Sequence, residues 1–346
     1  MGNRVSLVFF LLLGTASLEG ASLYSVESLG SLGAGAALTT GINSSGTAVG
    51  WVTDSHGNVN PVSFLNGQAA ALGTGGQANA INNGGVAVGT LFTGGGASVV
   101  EWSGGQMTSL GVAGYGTAIN NAGQVAGGYV APGGQMHAFT WSNGALLDLG
   151  TLGGSSSSAY GINASGQTAG ASMTAGGTFH AFFSNGGNLQ DLGTLGGANS
   201  YGMALNDTGK VTGSAQTAAG YSTAFLWDGQ QMKSLGTLGG TQSYGYGIDS
   251  NGDVVGYSWT GDGVTHGFLY SDGVMLDLNS LLEIGSGWTI DGAYGINDAG
   301  QILAQATHDG QRFAIELNPT LVTPEPAAFA LVLLGLGAVA SIFRRR

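Results

Sequence analysis

Cysteine is absent from this 346-residue chain, so no disulfide staples the fold and its stability has to come from burial. Charged residues make up only 8%, with Lys+Arg 7 against Asp+Glu 19 and a formal net charge of −12. So few basic residues cannot neutralise a run of phosphates, which excludes nucleic acid as a partner. Proline is scarce at 5, and the 68 glycines do not recur at every third position, which excludes collagen. A hydrophobic content of 43% is too high for a disordered chain. No stretch of the body keeps a 3.6-residue apolar period, so helix is expected to be scarce. GxSxG, HExxH, a P-loop and a cysteine nucleophile are all missing.

The two ends read as addresses. In residues 1–20, Arg4 precedes an apolar stretch at 5–13, and small residues follow it. This is the pattern of a secretory signal, with cleavage expected after Ala16. At the other end, Pro324-Glu325-Pro326 is followed by the uncharged span 327–343 and by Arg344, Arg345 and Arg346. The span is just long enough to cross a membrane, and the arginines would hold that end in the cytoplasm. Motif, span and basic tail in that order resemble the PEP-CTERM sorting signal of Gram-negative bacteria. The resemblance implies an exosortase-type processing protease as partner and a transient membrane anchor. It also implies delivery to the cell surface or extracellular matrix, a setting associated with exopolysaccharide. Four basic residues lie in these ends, leaving Lys210, Lys233 and Arg312 in a strongly acidic body.

The body, residues 21–319, is one unit written seven times. Its apolar column is Ile42, Ile81, Ile119, Ile162, Leu205, Ile248 and Ile296, at spacings of 39, 38, 43, 43, 43 and 48. Gly or Ala stands directly before each, Asn or Asp directly after, and Gly four positions on. We number the units 1–7 in this order. In unit 4, short apolar segments at 159–163, 167–173, 180–184 and 188–192 alternate with Asn- and Gly-rich turns, the grammar of four short strands. A four-stranded unit repeated at this period predicts an all-β, seven-bladed β-propeller. The last unit stops before a fourth strand, while residues 23–30 resemble a fourth strand without a unit. The N-terminal strand is therefore expected to close the ring. A β-solenoid is the alternative. A second apolar column, expected to fill the gaps between blades, is Phe64, Val100, Phe139, Phe182, Phe225, Phe268 and Phe313.

His137-Ala138-Phe139 and His180-Ala181-Phe182, each followed by Asp-Leu-Gly-Thr-Leu-Gly-Gly, resemble the HAF repeat of bacterial extracellular proteins. The likeness spans residues 23–318 and is weakest in the first two units. It implies a repeat architecture outside the cell and carries no catalytic residues with it.

Candidate sites follow from the columns. The histidines, including His266, sit in different units and read as hydrogen-bonding positions at the third strand. Each Asn of the turn column is expected to cap its own turn. Asp249, Asn251 and Asp253 offer oxygens at alternate positions and form a weak calcium candidate; no other cofactor is implied. Tyr160, Tyr246 and Tyr294 lie two before the apolar column, and Tyr115, Tyr201 and Tyr244 lie four before it. These are expected to gather at one mouth, overhung by a loop at 281–293 carrying Glu283, Trp288 and Asp291. Amphipathic rings around a mouth suit stacking on sugars. The expected function is a non-catalytic surface or matrix component binding polysaccharide or an envelope protein. A purely structural role, or a polysaccharide hydrolase or lyase using two mouth carboxylates, are the alternatives.

Overall fold

The computed structural model describes residues 23–29 and 37–320. The expected secretory signal and the expected C-terminal sorting segment, with Pro324, Glu325, Pro326, the 327–343 span and Arg344–Arg346, lie outside the described residues. Among those described, no helix is long and apolar enough to cross a membrane.

The fold is all-β, in a propeller arrangement of antiparallel sheets. Unit 1 shows the plan: strands Ala37–Ile42, Ala48–Thr53, Val59–Leu65 and Gln68–Ala71 pair in sequence order from the inside outward. Each repeat forms its own meander, so the solenoid reading, which needs strands stacked between repeats, is set aside. The N-terminal strand Tyr24–Ser28 pairs with the last strand Gln311–Pro319 (Tyr24 opposite Pro319, Ser28 opposite Ile315) and completes the last unit's sheet. An edge that would otherwise be open is thereby covered.

The seven repeats do not make seven separate sheets. Five sheets are four-stranded and one is seven-stranded. The 14-residue strand Gln106–Ile119 runs without interruption from the outer position of unit 2 to the innermost position of unit 3. Met107 pairs with Trp102 in unit 2, and Ile119 pairs with Val125 in unit 3. The connector explains this. From Leu110 to Ile119 the chain is four residues shorter than from Leu149 to Ile162, where Thr151-Leu152-Gly153-Gly154 is inserted. In that longer version, Leu152, Leu195 and Leu238 each make a separate parallel bridge to the second strand of the next unit, which parts the two sheets.

One bulge recurs in every innermost strand. The residue two before the apolar column has no partner opposite it: Thr40, Asn79, Thr117, Tyr160, Met203, Tyr246 and Tyr294. The extra residue tightens the local twist. The second strand answers with glycine. A Cβ on Gly170 or Gly256 would overlap the carbonyl oxygen of Ser158 or Tyr244 and press on the Phe182 or Phe268 ring. Opposite these glycines the fully buried column is Val62, Val100, Phe139, Phe182, Phe225 and Phe268, with Ile315 opposite Ala304 in the last unit. This corrects the column at its two ends. Phe64 is buried two positions further along its strand, and half-buried Phe313 packs on Trp288 at 5.3 Å. The glycine opposite, rather than the aromatic, sets the register.

Candidate functional site

The Asn column does more than cap turns. In unit 3, Asn120 Oδ1 accepts from the backbone N–H of Ala122 (3.1 Å) and of Gln124 (2.9 Å). Its Nδ2 donates onward to the carbonyl of Asn163 at 2.9 Å. The same donation runs from Asn43 to Asn82, Asn82 to Asn120, Asn163 to Asn206 and Asn206 to Asp249. Asn297 then donates to the carbonyl of Asn43 across 254 residues of chain at 2.9 Å, joining the last unit to the first. The girdle has one gap, at Asp249, whose carboxylate has no proton to give to Asn297.

Asp249 spends its oxygens locally. Oδ1 accepts from the N–H groups of Asn251, Gly252 and Asp253, and Oδ2 accepts from Asn251 Nδ2 at 3.1 Å. Burial pushes the Asp253 carboxyl upward, which disfavours the charged form a cation needs. Among the described residues, no group of three or more His, Asp or Glu side chains is placed to hold a metal.

The three residues of the His-Ala-Phe triplet have separate roles. His137, His180 and His266 pair across strands with Asp148, Asp191 and Asp277 at 3.0, 2.8 and 2.7 Å. Unit 5 carries Thr223 and Ser234 in the same places, with their hydroxyls 3.0 Å apart. The Ala N–H donates to a buried serine of the following unit (Ala181 to Ser200 Oγ, 2.8 Å). The Phe fills the core. Asp148 is held below its ordinary value. Burial acts upward on it but is outweighed by the Gly150 N–H, the His137 ring and the Tyr129 hydroxyl.

The tyrosines divide. Tyr244, Tyr246 and Tyr294 come together, joined by Tyr257 and Trp259, which the repeat columns do not single out. Ring centroids lie 5.1 Å apart for Tyr244–Tyr257, 5.7 Å for Tyr246–Tyr257, 5.4 Å for Tyr246–Tyr294 and 5.6 Å for Tyr257–Trp259. The signal for the two additions was the register. Tyr257 stands directly opposite Tyr244 in the adjacent strand, and Trp259 follows it on the same face. Burial, then neighbouring Tyr257, raises the Tyr246 and Tyr294 phenols above their ordinary value, so they stay neutral hydrogen-bonding groups. Beside Trp259, a shallow recess of about 250 Å³ is lined by Gly239, Gly240, Thr241 and Thr260.

The other candidates lie elsewhere. Tyr115 is exposed, and Tyr201 stacks on Phe179 at 6.0 Å with half-buried Tyr160 near it. No overhanging loop carries Trp288. The segment folds inward as a 3-10 turn, Leu278–Leu281, with Leu278, Leu281 and Leu282 buried. Trp288 and Asp291 belong to the strand Trp288–Ile296. Trp288 packs on His308 at 4.6 Å, and Asp291 accepts from the Thr307 hydroxyl at 2.8 Å. Leucine content, at 278, 281 and 282, pulls this stretch into the core against the glycine-rich pattern of the other connectors.

No family model and no curated protein sequence matches the chain. Solved structures do. A puromycin-hydrolyzing peptidase of Mycobacterium tuberculosis is similar with a TM-score of 0.51 at 11% identity, covering 86% of this chain and 51% of that one. YCF48 bound to D1 peptide is similar with a TM-score of 0.49 at 8% identity, covering 87% and 98%. TolB from Acinetobacter baumannii is similar with a TM-score of 0.47 at 13% identity, covering 79% and 63%. The chain thus spans between half and two thirds of the peptidase and TolB chains, and the likeness to the peptidase is one of fold, the β-propeller.

Proposed function

We propose that this is a non-catalytic, secreted or surface-sorted repeat protein whose aromatic cluster binds extracellular polysaccharide. On this reading the ring counts seven blades, the seven-stranded sheet being two blades that share the strand Gln106–Ile119. An exosortase-type protease would process the C-terminal signal after a transient stay in the membrane. The observation that supports binding is the cluster of Tyr244, Tyr246, Tyr257, Tyr294 and Trp259 beside a recess with threonine hydroxyls. Contiguous amphipathic rings offer the flat apolar faces on which sugar rings stack, with phenols at their edges. The test is co-sedimentation of the mature protein with the host's own extracellular polysaccharide, with calcium and with chelator. Saturable binding lost in Tyr246→Ala and Tyr294→Ala is expected. Binding unchanged in both variants removes this site. Absence of any binding favours the purely structural matrix role, and release of reducing ends favours the hydrolase or lyase.

A further inference from the structure

At the other end of the axis, on the face of the Asn turns, lies a cavity of about 190 Å³ that the polysaccharide reading leaves unused. That is room for about six waters or one amino-acid residue. Its throat is aliphatic, walled by Ile42, Ile81, Ile119, Ile162 and Leu205. The Asn amides around it offer a ligand little, because each is spent on its own turn and on the next carbonyl. Polar capacity sits one residue further out, on the rim.

The rim is two-sided. Asp207 Oδ1 accepts from the Ala164 N–H at 2.8 Å and Asp298 Oδ1 from the Ser250 N–H at 2.9 Å. Asn83 Oδ1 accepts from the Ser44 N–H at 3.0 Å and Asn121 Oδ1 from the Asn83 N–H at 2.9 Å. These bonds fix the four side chains at the opening. They leave Oδ2 of the two aspartates and the NH₂ of the two asparagines to meet a ligand. By ring order, the acidic arc of units 5 to 7 faces the amide arc of units 2 and 3.

We infer that this throat receives the free N-terminus of a polypeptide whose first residue is aliphatic. The α-ammonium answers the aspartates, the first carbonyl accepts from the asparagine amides, and the side chain enters the apolar throat. The acidic body adds a long-range attraction for the cation. A sugar would leave the charge of the acidic arc unanswered, and a fully apolar ligand would strand both arcs.

The probe is Leu-Gly-Gly-amide, titrated by calorimetry into the mature protein, beside N-acetyl-Leu-Gly-Gly-amide, Gly-Gly-Gly-amide and n-butylamine. One-to-one binding of the first is expected, weakened by about tenfold or more on acetylation or on loss of the leucine side chain. It should also weaken with salt. The double variant D207N/D298N keeps both Oδ1 acceptors, so its thermal midpoint should hold while affinity falls by about tenfold or more. Equal binding of the acetylated peptide, unchanged binding by the double variant, or no binding at about 10 mM peptide overturns the inference. So does n-butylamine binding as tightly as the peptide, which would make the throat a site for free amines. None of these outcomes touches the tyrosine cluster at the opposite mouth.

Discussion

Units 1–3 and units 4–7 build the same bulged innermost strand and place different chemistry on the bulge. In the first arc the bulge residue is small and polar, and it reaches across to the neighbouring unit. Thr40 donates to the carbonyl of Ala78 at 2.8 Å, Asn79 to Gly116 at 2.7 Å and Thr117 to Ala159 at 2.8 Å. In the second arc it is Tyr160, Met203, Tyr246 and Tyr294, of which Tyr246 and Tyr294 meet each other ring to ring across the unit boundary instead. One backbone position thus serves two ends: a hydrogen-bonded tie where nothing need be bound, and an aromatic surface where the proposed ligand would sit. A bulge frees its side chain from the pleat, so the position changes identity without disturbing the sheet.

The largest effect is expected in the core column, where a unit of each arc can be compared. Phe182→Ala in the second arc empties a fully buried ring site and is expected to cost about 3–5 kcal/mol. Val100→Ala, the same position in the first arc, should cost about 2 kcal/mol. Chemical denaturation measures both. Equal losses would mean that units 2 and 4 pack alike despite their different column residues.

The girdle gives the next largest effect and ignores the arcs. Asn120→Ala removes one inter-unit donor and the Oδ1 that accepts two hydrogen bonds in the turn, and should cost about 2–3 kcal/mol. Asp249→Asn tests the single gap from the other direction. It supplies the donor that Asp249 lacks while keeping the Oδ1 acceptor, and should raise stability by about 1 kcal/mol. A destabilised Asp249→Asn would show that the carboxylate itself is wanted there.

The closing strand sets the pH response. Glu27 stands directly opposite Glu316, which is only 5% exposed and accepts from Gln301 Nε2 at 2.6 Å. Burial first, then the Glu27 charge, pushes Glu316 up to about 7, against a smaller downward pull from Asn318. A carboxyl with a raised folded value holds its proton in the folded state after the unfolded chain has lost it. Stability is therefore fullest below the ordinary value near 4.5, falls as pH rises toward 7, and is flat above. With solvent at the strand's edge allowed for, the loss is about 1–2 kcal/mol. Glu316→Gln should flatten a thermal-midpoint profile over this window; a profile still sloping would place the titration elsewhere.

Much of this was legible in the chain because it is local. An Asn followed by Gly three residues later dictates its own turn, so the repeat, the all-β class and the closing N-terminal strand could be read from residues alone. What depends on two distant strands could not. Tyr257 and Trp259 belong to no column, and only the pairing of Tyr244 with Tyr257 reveals them. The register at Val62 and Ile315 is set by Gly50 and Ala304 opposite, which an alignment on aromatics overrides in favour of Phe64 and Phe313. The fused sheet follows from a connector four residues short, and the inward turn at 278–281 from leucines that a loop reading discounts. The axial rim is likewise a product of ring order, since Asp207 and Asp298 are 91 residues from each other along the chain.

The smallest expected effect concerns the His–Asp pairs, which lie on the outside of three units and are replaced by Thr223 and Ser234 in the unit between. Both versions keep a cap for the turn that follows. Asp191 accepts from the Gly193 N–H at 2.8 Å and Ser234 from the Gly236 N–H at 3.2 Å. With the Asp191 side chain 43% exposed, its contact with His180 adds little beyond that cap. Writing unit 5 into unit 4, as the double substitution His180→Thr with Asp191→Ser, should therefore change stability by less than about 0.5 kcal/mol. Asp191→Ala alone strips the Gly193 N–H of its acceptor and leaves His180 unpartnered, and should cost about 1 kcal/mol. The informative quantity is that difference. If the paired swap cost as much as the single change, the histidine itself would be required, and its recurrence in units 3, 4 and 6 would point to a use beyond holding two strands together.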